Sequence, residues 1–211
     1  MFITLEGPEG SGKSSQLPDL AEFLRGQGWD VLTTREPGGT PIGDQIRQIL
    51  MRLDNQELHP RTEILLFLAS RAQLVEQVIK PALREGKLVL CDRFGDSTLA
   101  YQGYGHGLNL DTLRTMLDFA TDKLKPDLTL LLDVDVETGL QRKRKEDEWN
   151  RLDAYALAFH QRVREGYHEL CRQEPERWRV IDAMQPKEAV QLALRQAVMQ
   201  FLQEKINTQL P

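Results

Sequence analysis

An α/β fold built on a parallel sheet is predicted by three features of the 211-residue sequence. Short apolar runs alternate with longer stretches in which apolar residues recur at helical spacing. The runs are bounded by Gly, Pro or charged residues, as strands buried on both faces are. A glycine-rich segment joins the first run to the first helical stretch. This alternation predicts a five-stranded parallel sheet with helices on both faces.

The predicted strands are the short apolar runs 2–5, 30–34, 87–91, 128–133 and 179–181. The predicted helices lie between and after them, at 14–26, 42–52, 61–84, 110–122, 136–145, 151–172 and 186–205. The last helix has Val190, Leu194 and Phe201 on one apolar face. The charged run at 142–153 is too short to link two domains. We therefore predict one domain over residues 1–211, with this run as a short lid.

The composition argues against several classes of partner. A net charge of −5 argues against a general nucleic-acid binder or a protein attracted to anionic membranes. No apolar run approaches the ~18 residues that a membrane span needs, and no basic targeting segment precedes Phe2. Cys91 and Cys171 form no CxxC pair, which is typical of a reducing compartment. We expect a cytoplasmic protein without nucleic-acid or membrane partners.

The glycine-rich segment GPEGSGKS, residues 7–14, matches the phosphate-binding pattern GxxxxGK[ST]. It follows a predicted strand and opens a predicted helix, which is the context that this P-loop requires. The glycines let backbone N–H groups point at phosphate oxygens, while Lys13 reaches the β- and γ-phosphates and the Ser14 hydroxyl suits Mg²⁺. The segment therefore predicts a P-loop NTPase fold that binds ATP and Mg²⁺. The predicted ATP-binding residues here are Gly7, Pro8, Glu9, Gly10, Ser11, Gly12, Lys13 and Ser14.

Switch GTPases also have a P-loop, and residues 92–95, DRFG, match their DxxG pattern. Guanine recognition in those proteins usually depends on an NKxD stretch, which this sequence lacks. The GTPase interpretation is therefore disfavoured.

Two polar segments follow predicted strands, at the sheet edge where open α/β sheets bind ligands. The segment TREPGGTP, residues 34–41, has Arg35 at the strand end, where a guanidinium can hold a phosphate in bidentate fashion. The segment CDRFGDSTLAYQ begins at residue 91. Its Asp92 would lie at the strand tip near Mg²⁺ or its waters, and Arg93 could bridge the donor and acceptor phosphates. A structural ion pair between Asp92 and Arg93 is the alternative.

A possible base-binding site lies within the predicted helix 61–84. Phe67 and Arg71 are four residues apart and therefore share one helical face. Phenylalanine at such a position is more often part of a core, but an arginine in a nearly apolar run needs a partner. An aromatic plane beside a hydrogen-bond donor suits a nucleobase.

These motifs together resemble the thymidylate kinase family, whose members phosphorylate dTMP to dTDP with ATP. The resemblance rests on TREPGGTP, on DRFGDSTLAYQG and on the P-loop, and it extends from Ile3 to the final helix. It implies a fold like that of nucleoside monophosphate kinases, and a homodimer.

The resemblance also implies roles for individual residues. Phe67 would stack on thymine, and Arg71 would donate to thymine O4. Cytosine has an amino group at that place and would be rejected. The implied substrate-binding residues are Glu9, Arg35, Glu36, Pro37, Phe67, Arg71, Arg93, Ser97, Thr98, Tyr101 and Gln102. Asp182 and Ala183 are implied near the adenine, and Ser14 and Asp92 near the metal.

The variable positions of the P-loop contain no arginine. Members of the family place catalytic arginines either in the P-loop or in the lid, so the resemblance implies lid arginines here. A positioned arginine contributes roughly 10³–10⁵ in rate to phosphoryl transfer. The predicted catalytic residues are Lys13, Asp92, Arg93, Arg142, Arg144 and Arg151. The sequence departs from the usual lid pattern in having Asn150 where bacterial members have Asp before the arginine.

Two other functions remain open from the sequence. Another P-loop nucleoside or nucleotide kinase would need a carboxylate base for a sugar hydroxyl, and Glu36 is a candidate for that role. A non-catalytic nucleotide-binding module or an ATPase switch would keep the P-loop but would have no reason to keep Arg35, Phe67, Arg71 and Arg93 together.

Overall fold

The computed structural model describes the backbone of residues 1–145 and 149–209, and the side chains of these residues as far as residue 207. Five parallel strands form one sheet in the order β2-β3-β1-β4-β5 within this described part. The strands are β1 (Phe2–Glu6), β2 (Val31–Arg35), β3 (Leu88–Asp92), β4 (Leu128–Asp133) and β5 (Trp178–Asp182). Each lies within one residue of its predicted position.

The helices connect the strands in the way that a parallel sheet requires. Their bounds are α1 (Lys13–Gly26), α2 (Pro41–Met51), α3 (Pro60–Leu74), α4 (Lys80–Arg84), α5 (Gly95–Thr98), α6 (Leu110–Thr121), α7 (Val136–Arg144), α8 (Leu157–Gln173) and α9 (Lys187–Gln209). Two π-helical segments, Val75–Ile79 and Leu99–Gly105, continue α3 and α5.

The apolar cores lie on both faces of the sheet. On one face, Leu5 and Leu130 pack with residues of α1 and α9 such as Leu20 and Leu194. On the other face, separate clusters join β4 to α3, α6 and α8, and join β1 and β3 to α3. Because successive strand residues point to opposite faces, Glu6 lies on the face opposite to Leu5. The predicted sheet with helices on both faces is confirmed.

The predicted helix 61–84 is interrupted by a wider turn. Residues Val75–Ile79 form a π-helical segment that ends two residues before Pro81, which lies in the first turn of α4. Proline has no N–H group, and its ring crowds the carbonyl four residues earlier, so a regular α-helix cannot pass through this position unchanged. The π segment Leu99–Gly105 was not predicted because three glycines between residues 95 and 105 disfavour a helix.

The predicted helix 151–172 begins six residues late, at Leu157. Local hydrogen bonds hold the preceding residues in turns. The Asn150 amide oxygen accepts from the Leu152 N–H at 2.9 Å, and the Asp153 carboxylate accepts from the Asn150 N–H at 2.9 Å. Such side-chain bonds to nearby backbone compete with helix formation.

Within the described ranges, no helix is both long enough and apolar enough to cross a membrane. Cys91 and Cys171 are both free thiols.

Candidate active site

A cavity of about 910 Å³ opens at the carboxyl ends of the strands. Its wall combines the P-loop, the segments after β2 and β3, one face of α3, and the end of α7. The topology explains this composition because the carboxyl ends of parallel strands meet at one edge of the sheet. The cavity is therefore where the sequence motifs were expected to meet.

The P-loop runs from the end of β1 to the start of α1 and rests against α7. Gly10 has φ +66°, and a Cβ atom there would lie 1.9 Å from the Gly139 carbonyl oxygen. A Cβ atom on Gly139 would in turn lie 2.3 Å from the Glu9 carbonyl oxygen. Glycine is thus required on both sides of this contact, where one backbone packs directly on the other.

Lys13 is buried and lies over the P-loop. Its Nζ atom donates to the Gly7 carbonyl at 3.1 Å, the Pro8 carbonyl at 2.9 Å and Ser11 Oγ at 2.9 Å. Burial lowers the pKa of the Lys13 ammonium to about 8, and the positive charge of Arg93 acts in the same direction. A phosphate anion near this group would raise that pKa again and favour the charged form. Gly7, Pro8 and Ser11 shape the loop but do not line the cavity, whereas Glu9, Gly10, Gly12, Lys13 and Ser14 do.

The two residues predicted near the metal contact each other. Ser14 Oγ donates to Asp92 Oδ2 at 2.6 Å, although the residues are 78 positions apart. A hydroxyl and a carboxylate are hard oxygen ligands of the kind that Mg²⁺ prefers, and protein Mg²⁺ sites typically use only one or two carboxylates besides phosphate and water. The pair fits Mg²⁺. No larger cluster of metal-binding side chains occurs among the described residues.

Arg93 lines the cavity, with its backbone in the left-handed region at φ 67°. Its Nη1 atom donates to the Gly7 carbonyl at 3.0 Å, and its Nη2 atom donates to Glu9 Oε1 at 3.0 Å and Tyr101 Oη at 3.1 Å. The guanidinium therefore touches the P-loop on one side and the segment after β3 on the other. The alternative considered from the sequence, a structural ion pair between Asp92 and Arg93, is not what the structure shows, because Arg93 pairs with Glu9.

Glu9 is held ionised by its neighbours. Its Oε1 atom accepts from Tyr101 Oη at 2.7 Å as well as from Arg93. Burial alone raises the pKa of the Glu9 carboxyl, but the charges of Arg93 and Lys13 outweigh it and lower that pKa to about 2. The P-loop thus presents a negative charge beside Arg93 at neutral pH.

Arg71 and Glu36 form a buried ion pair at the other end of the cavity. Arg71 Nε donates to Glu36 Oε2 at 2.7 Å, Nη1 donates to Thr98 Oγ1 at 2.8 Å, and Nη2 donates to the Phe94 carbonyl at 3.0 Å. Glu36 Oε1 has no hydrogen-bond partner among the described residues. Burial raises the pKa of Glu36, and the charge of Arg71 opposes that shift. The arginine predicted to need a partner has one, and both residues line the cavity.

The remaining predicted substrate residues also reach the cavity. Phe67 precedes Arg71 by one turn of α3 and is partly exposed, and Arg35 is exposed at the end of β2. Gln102 is buried and donates from Nε2 to Glu63 Oε1 at 2.7 Å. The cavity brings together Arg35, Glu36, Pro37, Phe67, Arg71, Arg93, Ser97, Thr98, Tyr101 and Gln102.

The predicted lid is described only in part, because residues 146–148 lie outside the described residues. Arg142 Nη1 donates to the Ala183 carbonyl at 2.8 Å. The Arg144 guanidinium lies 5.5 Å from the centre of the Trp149 ring. Neither arginine lines the cavity, whereas Lys143 and Trp149 do.

Arg151 lies in a different environment from the one predicted. Its guanidinium is buried and contacts the Glu63 carboxylate, the Leu50 carbonyl at 3.0 Å and Tyr155 Oη at 2.7 Å. These contacts attach the segment before α8 to α2 and α3, and Arg151 does not line the cavity. The described geometry therefore gives Arg151 a packing role and brings it to no phosphate-binding group.

Asp182 and Ala183 lie at the end of β5. The exposed Asp182 carboxylate accepts from the Met184 N–H at 2.9 Å and from Gln185 Nε2 at 2.8 Å. Ala183 is buried, and neither residue lines the cavity described above. Their implied place near an adenine stays a prediction.

Sequence reasoning missed several residues of the site. Arg47 lines the cavity and donates to the Pro37 carbonyl at 3.1 Å. Lys143 and Trp149 also line the cavity, and nothing in the charged run distinguishes them from residues on a solvated helix face. Glu6 and Tyr167 are buried next to Arg93 and had no signal in the sequence. Glu6 is a single acidic residue at the end of an apolar strand, and Tyr167 fits the apolar face of its helix.

The comparisons with known proteins agree on one family. The family model described as "Thymidylate kinase" matches residues 5–194. The thymidylate kinase of Roseiflexus castenholzii is 53% identical over 203 residues, covering 90% of this chain and 89% of the relative. That of Thermomicrobium roseum is 54% identical over 190 residues, covering 90% of each chain. A crystal structure of thymidylate kinase from Ehrlichia chaffeensis superposes with a TM-score of 0.77 at 35% identity, covering 94% of this chain and 98% of that one. The chain belongs to the thymidylate kinase family.

Proposed function

We propose that this chain transfers the γ-phosphoryl group of ATP to the phosphate of dTMP, forming ADP and dTDP. The observation that carries the proposal is the position of Arg93. Its guanidinium contacts the P-loop at Gly7 and Glu9 and also contacts Tyr101, which belongs to the predicted substrate pocket. One cation thus lies between the P-loop and the predicted substrate residues of the same cavity. Family membership supports ATP as the donor.

On the donor side, the P-loop N–H groups and Lys13 would bind the ATP phosphates. Lysine has three N–H donors, and Lys13 uses them on Gly7, Pro8 and Ser11, so phosphate oxygens would replace one or more of these acceptors. We propose that Ser14 and Asp92 hold Mg²⁺, which when bound neutralises part of the polyphosphate charge.

On the acceptor side, Arg35 and Arg93 would bind the dTMP phosphate, and Phe67 would stack on the thymine. Arg71 would donate to thymine O4. The Nη1 group of Arg71 has two N–H donors, of which the contact with Thr98 uses one. The ion pair with Glu36 keeps this guanidinium in place without using the Nη1 donors. A base with an amino group at the O4 position would meet a donor and be rejected.

The reaction needs no general base. The dTMP phosphate has a second pKa near ~6 and is mostly deprotonated at neutral pH. The catalytic task is therefore to align two anions and to balance the charge that develops between them. Lys13 and Arg93 supply positive charge from the described part of the site. We propose that the predicted lid, residues 142–153, adds Arg142 and Arg144 and excludes water when it closes over ATP.

The test is a panel of acceptors, with ADP release measured from Mg-ATP. We expect strong turnover with dTMP, little with dCMP, dGMP or thymidine, and about 10–200-fold weaker kcat/KM with dUMP, since one methyl group contributes ~1–3 kcal/mol. Thymidine as the best acceptor would instead indicate a nucleoside kinase, with Glu36 as the base. ADP release that does not depend on the acceptor would indicate an ATPase and would overturn the proposal.

We also propose that the chain forms a homodimer and works in the cytoplasm as a single domain. Large apolar side chains are exposed on three neighbouring helices: Ile42 and Ile49 on α2, Leu65 on α3, and Phe119 on α6, where 91% of the residue is exposed. A patch of this kind is typical of a subunit interface. Light scattering coupled to size exclusion should give twice the chain mass of 24.2 kDa. A Phe119→Asp, Leu65→Asp variant should elute as a monomer, and a dimer that survives both changes would contradict this interface.

A further inference from the structure

Glu6, the last residue of β1, is a fully buried carboxylate directly behind the active-site cavity. Its Oε1 atom accepts the Phe94 N–H at 2.7 Å. Its Oε2 atom accepts Ser97 Oγ at 2.6 Å and Tyr167 Oη at 2.9 Å. The carboxylate therefore accepts three hydrogen bonds, two from the segment after β3 and one from α8. None of these bonds is part of the sheet.

Two of those donors also contact Arg93. Arg93 Nη1 donates to Tyr167 Oη at 3.2 Å and to Ser97 Oγ at 3.3 Å. Both hydroxyls offer a lone pair to Arg93, and their oxygens also lie 2.9 Å apart, so the proton of one hydroxyl is shared between Glu6 and the other hydroxyl. Glu6 thus holds this hydrogen-bonded pair of hydroxyls in place, and the pair holds one end of the guanidinium. Phe94, the third partner of Glu6, follows Arg93 in the chain and anchors the left-handed turn at Arg93.

We propose that Glu6 is a positioning residue for phosphoryl transfer, which holds Arg93 in place through the hydroxyls of Ser97 and Tyr167. The inference rests on the proposed function, because it needs Arg93 to act on the phosphates. Glu6 itself does not line the cavity and is not expected to touch either substrate.

A carboxylate here is costly for the fold, which argues that its hydrogen bonds serve the site. Burial raises the pKa of Glu6 to about 7, and the negative charge of Asp96 acts in the same direction, while Arg93 opposes it. A neutral residue would avoid this cost. A glutamine, however, carries two N–H donors on one side. If the glutamine NH₂ group faced Phe94, it would meet the Phe94 N–H, and two donors would oppose each other. If the NH₂ group faced Ser97 and Tyr167, their hydroxyls would have to accept from it, and a hydroxyl proton would turn towards Arg93.

The first experiment is Glu6→Gln, measured with saturating dTMP and Mg-ATP. We expect kcat to fall by about 10²-fold, since a small displacement of a catalytic group can cost that much. Circular dichroism should show a folded protein. If kcat stayed within a factor of three of wild type, the proposal would be wrong.

A double-mutant cycle separates positioning from general damage. We would combine Glu6→Gln with Arg93→Lys, because lysine keeps the positive charge but cannot contact both the P-loop and the Ser97 and Tyr167 hydroxyls as the guanidinium does. If Glu6 acts through Arg93, then Glu6→Gln should cost less than about threefold in the Arg93→Lys background. Effects that simply multiply would show that Glu6 acts independently of Arg93 and would overturn the proposal.

Two further variants keep the test decisive. Tyr167→Phe removes one of the bridging hydroxyls and keeps the ring; we expect a smaller fall in kcat, about tenfold, which also disappears in the Arg93→Lys background. It carries the same cycle if Glu6→Gln does not fold. Asp133→Asn is the matched control, because Asp133 ends the neighbouring strand β4 and its carboxylate accepts from two N–H groups of Arg164 rather than contacting Arg93. It should lower the melting temperature and leave kcat near wild type.

Failure of the inference and failure of the proposed function give different results. A wild-type protein without dTMP-dependent turnover would overturn the function. An active wild type with an equally active Glu6→Gln variant would overturn only the role of Glu6.

Discussion

Arg93 and Arg151 were both predicted to serve catalysis, and the structure gives them opposite surroundings. Arg93 lies on the cavity wall, where a backbone carbonyl and three hydroxyls supply most of its contacts and Glu9 supplies one carboxylate oxygen. Arg151 is 4% exposed, and its charge is balanced by Glu63, which is fully buried. One arginine faces a space that admits anions, and the other is sealed inside the protein.

The contrast shows that the partners of an arginine decide what it can do. Most oxygens around Arg93 are neutral, and its one carboxylate partner, Glu9, also interacts with the cation Lys13, so these three groups together carry a net positive charge at the cavity. A buried carboxylate cancels the charge, so Arg151 contributes to packing instead. The sequence suggested that Arg151 is exposed and available to phosphates, because it follows a charged run and such runs usually lie at the protein surface.

Removing Arg93 should have the largest effect. We expect Arg93→Ala to lower kcat by at least about 10³-fold, because the charge that bridges the two phosphates is lost. The melting temperature should fall only moderately, since the side chain is at the cavity wall. Steady-state kinetics with a folded variant checks this prediction. Near-full activity would show that Arg93 does not bridge the phosphates.

Removing Arg151 should affect stability before catalysis. We expect Arg151→Met to lower the free energy of unfolding by about 3–5 kcal/mol, because Glu63 is left buried without its charged partner. The double variant Arg151→Met, Glu63→Gln should recover part of the loss, since no charge then remains unpaired. Urea denaturation measures both values. A single variant as stable as wild type would contradict the packing role.

Changing Arg144 tests whether the predicted lid supplies charge. Among the described contacts, its guanidinium meets the Trp149 ring, and such an exposed contact is worth about 0.5–1 kcal/mol. We therefore expect Arg144→Ala to change stability by less than about 1 kcal/mol. If the lid acts on ATP, kcat should nevertheless fall about tenfold. Unchanged kcat would leave Arg93 and Lys13 as the main cations of the site.

The smallest expected effect concerns Asp153, two residues beyond Arg151. It is buried, its Oδ1 atom has no hydrogen-bond partner among the described residues, and burial, together with the charge of Glu9, raises its pKa to about 7. The folded protein then binds more protons than the unfolded chain, so Asp153 makes stability fall as pH rises from about 4 to about 7.

The corresponding variant is Asp153→Asn, which keeps the acceptor for Asn150 and removes the charge. We expect its melting temperature at pH 8 to exceed that of wild type by a few degrees, as about 1 kcal/mol corresponds to about 2–4 °C in a chain of this size. Near pH 4 the two proteins should melt at similar temperatures. A lower melting temperature at pH 8 would show that the carboxylate is stabilising.

The sequence predicted the residues whose partners are close in the chain or fixed by a motif. The P-loop and the segments after β2 and β3 were identified because glycine spacing and strand ends are local signals. The contact between Arg151 and Glu63 joins residues 88 positions apart, and the contact between Tyr167 and Glu6 spans 161 positions. Such pairs depend on how α3 and α8 pack, which no local pattern encodes. The π segments were not predicted, because one wider turn hardly changes the spacing of apolar residues along a whole helix.

The contact between Gly10 and Gly139 joins the P-loop directly to α7. With no side chain between the P-loop and α7, there is nothing compressible to absorb a shift of one against the other. Helix α7, which leads into the predicted lid, therefore cannot tilt without displacing the P-loop, so a movement of either element is passed on to the other.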